Sequence, residues 1–262
     1  MAKQAVLFDL DDTLLWDERS VKEAFQATCE AGAEAAGVDA DELEEAVRKE
    51  ARVLYESYET FSFTKMIGIN PFEGLWAHFA AGEQEEFRKL QQLAPGYRKA
   101  AWTQGLKALG VEDEQLGSEL AERFPAERRS RPIVYEETFR VLDALKGKYK
   151  LLLLTNGSPD LQKEKLDGVP ELVPYFDHII ISGEFGEGKP AASIFRHALD
   201  RLGIEPDHGI MVGDKLTTDI LGANTIGMTS VWINRRGVKR NDDIIPAYEI
   251  THLEELLRLL EH

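Results

Sequence analysis

The sequence predicts an α/β protein: a parallel sheet with helices on both faces, interrupted after its first strand by an all-helical insertion. Three observations carry this expectation. Short continuous apolar runs, LLLL and HIII among them, have the texture of strands buried on both faces. They alternate with segments of about ten or more residues at helical spacing, the order of βαβ units. From about Ser20 to Arg131 the chain is rich in Ala, Glu, Lys and Leu and contains no convincing strand.

Ala5 to Phe8 reads as the first strand, and Asp9, Asp11, Asp12 and Thr13 follow it at once. VKEAFQATCEAGAEAAG, DADELEEAVRKEARVLYESYE, EQEEFRKLQQLA and PGYRKAAWTQGLKALG read as helices of the insertion. Asp39 or Asp41 is placed to cap the second, and Pro95 suits the first turn of the last. Residues 65–76, KMIGINPFEGLW, read as an exposed apolar loop broken by glycine and proline, a contact surface for a site or a second subunit. After Pro132 helix and strand alternate. YEETFRVLDALKGK leads to KLLLLTNG, DLQKEKLD to HIIISGEFG, AASIFRHALDRLG to HGIMVGD, and TTDILGANTIG to TSVWIN; THLEELLRLLEH is the last helix. The expected domains are residues 1–16 with 132–262, and the helical insertion 17–131.

With 31 basic and 47 acidic residues among 262, the net charge is −16. Such a field repels nucleic acid and anionic membranes, so neither is an expected partner. It also repels a phosphate at long range, so an anion site must be built from local cations or a metal. Cys29 is the single cysteine, which excludes an intramolecular disulfide and a cysteine zinc cluster. His78, His178, His197, His208, His252 and His262 show no metal-ligand spacing. The first residues show no signal-peptide pattern and no run approaches the ~18 apolar residues of a membrane span, so a cytoplasmic protein, monomeric or homodimeric, is expected.

In open α/β sheets, ligands bind beyond the carboxyl ends of the strands. One edge would then collect Asp9, Asp11 and Thr13, Thr155, Asn156 and Gly157, Ser182 and Gly183, and Gly213 with Asp214. Asp9 and Asp11, two residues apart, repel by roughly 3 kcal/mol at about 5 Å and an effective dielectric near 20. Lys189, in GEGKP, is a lone cation on a glycine-rich loop before a helix, and carboxylates with few cations suit Mg²⁺, which would offset that repulsion. An ionised Asp9 can attack phosphorus, and Asp11 can serve as proton donor and acceptor. Lys189 and Thr155 would bind phosphoryl oxygens, with Asn156 and the backbone beside it as further donors. Asp219 lies about where a helix begins. Lys215, Arg98 and Lys99 read as solvated cations within reach of a substrate.

FDLDDTL, LLLLTNG, GKP and VGDKLTTD resemble, in order, the four motifs of the haloacid dehalogenase-like superfamily of phosphohydrolases. The resemblance covers both ends of the chain and nearly everything from Pro132 on, and the insertion looks like that family's C1 cap. It implies a Rossmann-like core, a required Mg²⁺ and an aspartyl-phosphate. It makes Asp9 the nucleophile and Asp11 the acid/base. Asp9, the backbone carbonyl of Asp11 and Asp214 would be metal ligands, Thr155 and Lys189 phosphate contacts, and Asp219 an outer support of the metal. Family members often carry Asp-Pro after Lys-Pro, where this chain has Ala191-Ala192, at positions that do no chemistry. The implied activity is hydrolysis of a small phosphorylated metabolite, as in phosphoserine phosphatase-like members. A phosphomutase, a dehalogenase attacking carbon and a non-catalytic phosphate-sensing protein are the alternatives.

Overall fold

The computed structural model describes residues 2–239 and 243–261; His262 lies outside them. The chain forms two compact units: Met1–Trp16, Ile133–Gly157 and Lys165–His262 make one, Asp17–Pro132 and Ser158–Glu164 the other.

The first unit is built on a six-stranded sheet: β1 (Ala5–Phe8), β2 (Lys150–Thr155), β3 (His178–Ile181), β4 (Gly209–Gly213), β5 (Thr229–Ile233) and β6 (Tyr248–Ile250), in the order β3-β2-β1-β4-β5-β6. Every pairing is parallel. Because side chains alternate across a strand, β1 divides itself between two apolar layers. Val6 and Phe8 join Leu151, Leu153 and Val212 beneath Val141, Leu142 and Leu145 of the Thr138–Leu145 helix. Ala5 and Leu7 join Leu152, Leu154 and Met211 beneath Ile194, Phe195 and Leu199 of the Ala192–Leu202 helix. Helices therefore cover both faces, as the continuous apolar strands predict, in the Rossmann-like arrangement that the resemblance implies. Strand order reverses at β1, with β2 on one side and β4 on the other, so their carboxyl ends form the topological switch point.

The sixth strand is absent from the sequence reading. β6 is a three-residue edge strand of which only Ile250 is buried, so it has no continuous apolar run. The last helix is also shorter than its pattern, covering Glu255–Leu260.

At the amino ends of β1 and β2 lies a cleft of about 610 Å³ lined by Lys3, Lys146, Lys148 and Lys150. Two of these ammonium groups are held by backbone oxygens: Lys3 Nζ donates to Asp207 O at 2.7 Å, and Lys150 Nζ to Leu202 O at 2.5 Å. Lys3 also donates to Thr229 Oγ1.

The second unit is helical and its interior is aromatic. Phe25 packs on Phe124 with ring centroids 4.5 Å apart and on Trp102 at 6.0 Å, within a cluster that includes Leu43, Val47, Phe87 and Tyr97. Asp39 caps the Ala40–Ser57 helix, its carboxylate accepting from Asp41 N and Glu42 N. Cys29 is 1 % exposed in this cluster, and burial pushes its thiol up to about 12.

Three expectations fail here. The two helices separated at Pro95 are one helix, Glu85–Ala108. Proline forfeits one backbone bond, but Leu90, Ala94, Tyr97 and Ala101 keep a single buried stripe through it. The stretch 65–76 is not an exposed loop. Ile67, Ile69, Leu75 and Trp76 are buried, while Gly68 at φ +83° and an Asn70–Glu73 capping box let the chain turn into the core; Met66 alone of its large apolar residues stays exposed. Ser158–Glu164, assigned by sequence to the α/β part, groups with the helical unit, where Leu161 is buried, Asp160 accepts from Ala81 N at 2.7 Å and Glu164 pairs with Arg129.

Candidate active site

β1 ends at Phe8, which is in register with Leu153 of β2 and Val212 of β4, and Asp9 N still donates to Val212 O at 3.0 Å. Sheet pairing thus delivers the Asp9 side chain to the switch point with its backbone fixed. The turn that follows holds Asp12 at φ +59°, a left-handed conformation that Asp tolerates better than most side chains. Asp12 N closes the turn on Leu15 O at 2.7 Å. Arg235 braces the same turn: it donates to Thr13 O at 3.0 Å, to Glu137 Oε1 at 2.6 Å, and lies over the Tyr135 ring at 3.5 Å.

Asp9 is 7 % exposed. Its Oδ1 accepts from Lys189 Nζ at 2.7 Å, and Thr13 Oγ1 lies 3.5 Å from Oδ2. Lys189 Nζ also meets Asp219 Oδ1 at 2.7 Å, so one buried ammonium serves two carboxylates. Desolvation works against that charge, but Asp219 and Asp9 outweigh it and raise the lysine pKa. Asn156, expected at the phosphate, also fixes Lys189: its Nδ2 donates to Lys189 O at 3.0 Å and its Oδ1 accepts from Lys189 N at 2.8 Å. The second Nδ2 hydrogen and the backbone remain at this position for an anion, beside Thr155, the buried last residue of β2.

β4 ends at Gly213, and here the absence of a side chain is required. A Cβ would lie 2.3 Å from Asp219 Cγ. Asp219 sits in a wide helical turn, Leu216–Ile220, of the kind found at functional sites, and its Oδ2 accepts from Lys215 N at 3.0 Å. Trp232 Nε1 donates to Asp214 O at 2.8 Å and pins the intervening loop to β5.

Asp9, Asp214 and Asp219 each offer an oxygen, all within 4.8 Å of one another. Burial, with the Lys189 charge opposing it, raises the Asp9 carboxyl above its ordinary range. Burial and then the Asp9 charge push Asp214 well above it. Asp214 Oδ1 is buried with no hydrogen-bond donor among the described residues. A buried carboxylate oxygen without a donor, among like charges, favours a bound cation, and hard oxygen donors in this number fit a divalent ion such as Mg²⁺. The Asp11 carboxylate stands outside this trio. Its Oδ2 accepts from Lys165 Nζ at 2.8 Å, and that lysine is 3 % exposed at its side chain.

The structure therefore brings together Asp9, Asp214, Asp219 and Lys189, with Thr155 and Asn156 on the adjoining strand end. Lys215 belongs to the same edge; desolvation opposes its charge, yet Asp214, Asp9 and Asp11 raise its pKa. Arg98 and Lys99 belong to the helical unit. Arg98 donates to the carbonyls of Gly74 and Ala77, and Lys99 lies 3.7 Å from Glu114. Sequence reasoning missed Lys165, Arg235 and Trp232. A lysine near a helix end reads as solvated, and nothing in DLQKEKLD sets Lys165 apart from Lys163.

A model of haloacid dehalogenase-like hydrolases matches residues 3–227. The phosphoserine phosphatase of Thermus thermophilus is 34% identical over 251 residues, covering 96% of each chain. The N-acylneuraminate-9-phosphatase of Mus musculus is 36% identical over 182 residues, 68% of this chain and 73% of that one. A crystal structure of a HAD phosphatase from Thermococcus onnurineus superposes with a TM-score of 0.59 at 30% identity, covering 98% of this chain and 97% of that one.

Proposed function

The chain belongs to the haloacid dehalogenase-like hydrolases, and from that premise we propose that it is a Mg²⁺-dependent phosphomonoesterase of a small phosphorylated metabolite, working through an aspartyl-phosphate on Asp9. The observation that carries the reading is the buried Asp9–Lys189–Asp219 group beside the donorless Asp214 oxygen. The names of the two relatives, both phosphatases, support the substrate class.

Mg²⁺ would be held by the carboxylates of Asp9 and Asp214 with the backbone carbonyl of Asp11, Asp219 standing behind them, and would supply charge neutralisation at the transferred phosphoryl group. An Asp9 carboxylate oxygen attacks phosphorus, the phosphorus–oxygen bond to the alcohol breaks, and Asp11 gives its proton to the departing oxygen. In the second half Asp11 takes a proton from water, whose oxygen attacks the same phosphorus and releases Asp9 and inorganic phosphate. Lys189 and Thr155 stabilise the phosphoryl oxygens as charge develops, and Asn156 keeps the lysine in place. The helical unit is the family's C1-type cap in this reading.

The test is phosphate release across a panel of phosphorylated metabolites with Mg²⁺, with EDTA, and with Asp9→Asn. One substrate well above the others, lost in both controls, is the expected result. Full activity of Asp9→Asn would sink the mechanism, and turnover of a haloacid that survives EDTA would replace the reaction.

A further inference from the structure

The sheet edge uses two buried lysines, and the function above employs one. Lys189 serves Asp9 and Asp219 at 2.7 Å each. Lys165 serves Asp11 at 2.8 Å, with side-chain exposures of 3 % and 15 %. This is not a surface ion pair of the Arg19–Glu23 kind, whose side chains are 49 % and 37 % exposed and which contributes little. A desolvated ammonium must keep its carboxylate, and its origin here is fixed, because the neighbouring Leu166 is buried in the apolar layer of the α/β unit. The two acids that leave β1 two residues apart are thus held by two cations from two different segments. The division matches the grouping of oxygens: Asp9 belongs to the Asp9–Asp214–Asp219 trio and the Asp11 carboxylate does not.

We infer that Lys165 is a positioning residue that anchors the Asp11 carboxylate outside the Asp9–Asp214–Asp219 trio and aims it for proton transfer. The inference rests on the phosphatase reading. Without Lys165, Asp11 loses the buried ammonium that holds its Oδ2, and its alignment with the alcohol and the water is lost. Misplacing a proton-transfer group by about an ångström costs on the order of 100-fold.

The experiment is a double-mutant cycle of Lys165→Met and Asp11→Asn, with Lys165→Arg as the charge-retaining variant. Two readouts are taken on the full chain: steady-state phosphate release from an aryl phosphate, and Mn²⁺ affinity by titration. Lys165→Met is expected to lower kcat by roughly 10- to 100-fold with KM within about twofold. Lys165→Arg should restore part of the rate. In the Asp11→Asn background Lys165→Met should change the residual rate no further. Lys165→Met should tighten Mn²⁺ several-fold, and that gain should vanish when Asp11 is Asn. Losses that multiply, a wild-type kcat in Lys165→Met, or an Mn²⁺ gain that persists in the double variant would each overturn the inference. Should Lys165→Met fail to fold, Lys165→Gln, which keeps a donor, takes its place in the same cycle. Should the wild type release no phosphate, the phosphatase reading fails alone and the Mn²⁺ arm still decides the role of Lys165.

Discussion

The two ends of one sheet handle lysine in opposite ways. At the amino ends Lys3 and Lys150 rest on backbone carbonyls, beside exposed Lys146 and Lys148. At the carboxyl ends Lys189 and Lys165 are buried and matched to carboxylates. In the first case a neutral dipole takes the charge and water remains nearby. In the second, removing either partner leaves an ion where hydration is poor. Equal residues therefore carry very different weight, and the difference marks which end of the sheet is built for chemistry.

The widest separation between the two ends is expected from Lys189→Met. It leaves Asp9 and Asp219 without their shared cation, at about 3–5 kcal/mol of stability by urea denaturation, together with loss of activity by about 1,000-fold or more. A Lys189→Met chain as stable as wild type would erase the contrast.

Glu137 sharpens it through pH. Burial works against its charge, but the Arg235 hydrogen bond at 2.6 Å prevails and holds it below its ordinary 4.5. A depressed carboxylate contributes stability that is fully present above the unfolded pKa and lost as pH falls through the folded one. Melting temperature should therefore drop below about pH 4.5 more steeply in wild type than in Glu137→Gln, which at neutral pH should cost about 2 kcal/mol.

Gly213→Ala tests packing rather than charge at the same edge. The new methyl must displace Asp219, at about 1–3 kcal/mol by thermal unfolding and with weaker Mn²⁺ binding. At the amino end, Lys3→Met should cost only about 1 kcal/mol. Lys148→Ala should stay within about 0.5 kcal/mol. A loss above about 2 kcal/mol in either would mean that the two ends are not so different.

The alternation of short apolar strands with helices made the sheet legible, because strands buried on both faces write themselves as runs such as LLLL. β6 was not legible, since an edge strand buries one residue in three. The turn-bearing residues Asp9, Asn156, Lys189, Asp214 and Asp219 could be named because each ends a strand or opens a helix at one edge. Their division of labour could not. That Asn156 holds a lysine backbone, or that Lys165 meets Asp11, depends on which side of a helix faces the sheet. The 65–76 stretch misled for a related reason: glycine and proline signal turns, and a turn can lead into a core as readily as out of it.

Cys29 has a practical consequence. The one sulfhydryl of the chain lies 1 % exposed within the aromatic interior, with ionisation postponed to about 12. At neutral pH almost none of it exists as the nucleophilic thiolate. A maleimide dye or spin label would therefore pass it by and react at a cysteine introduced on the surface, such as Lys148→Cys. The protein can be tagged at chosen sites for distance measurements without first being made cysteine-free.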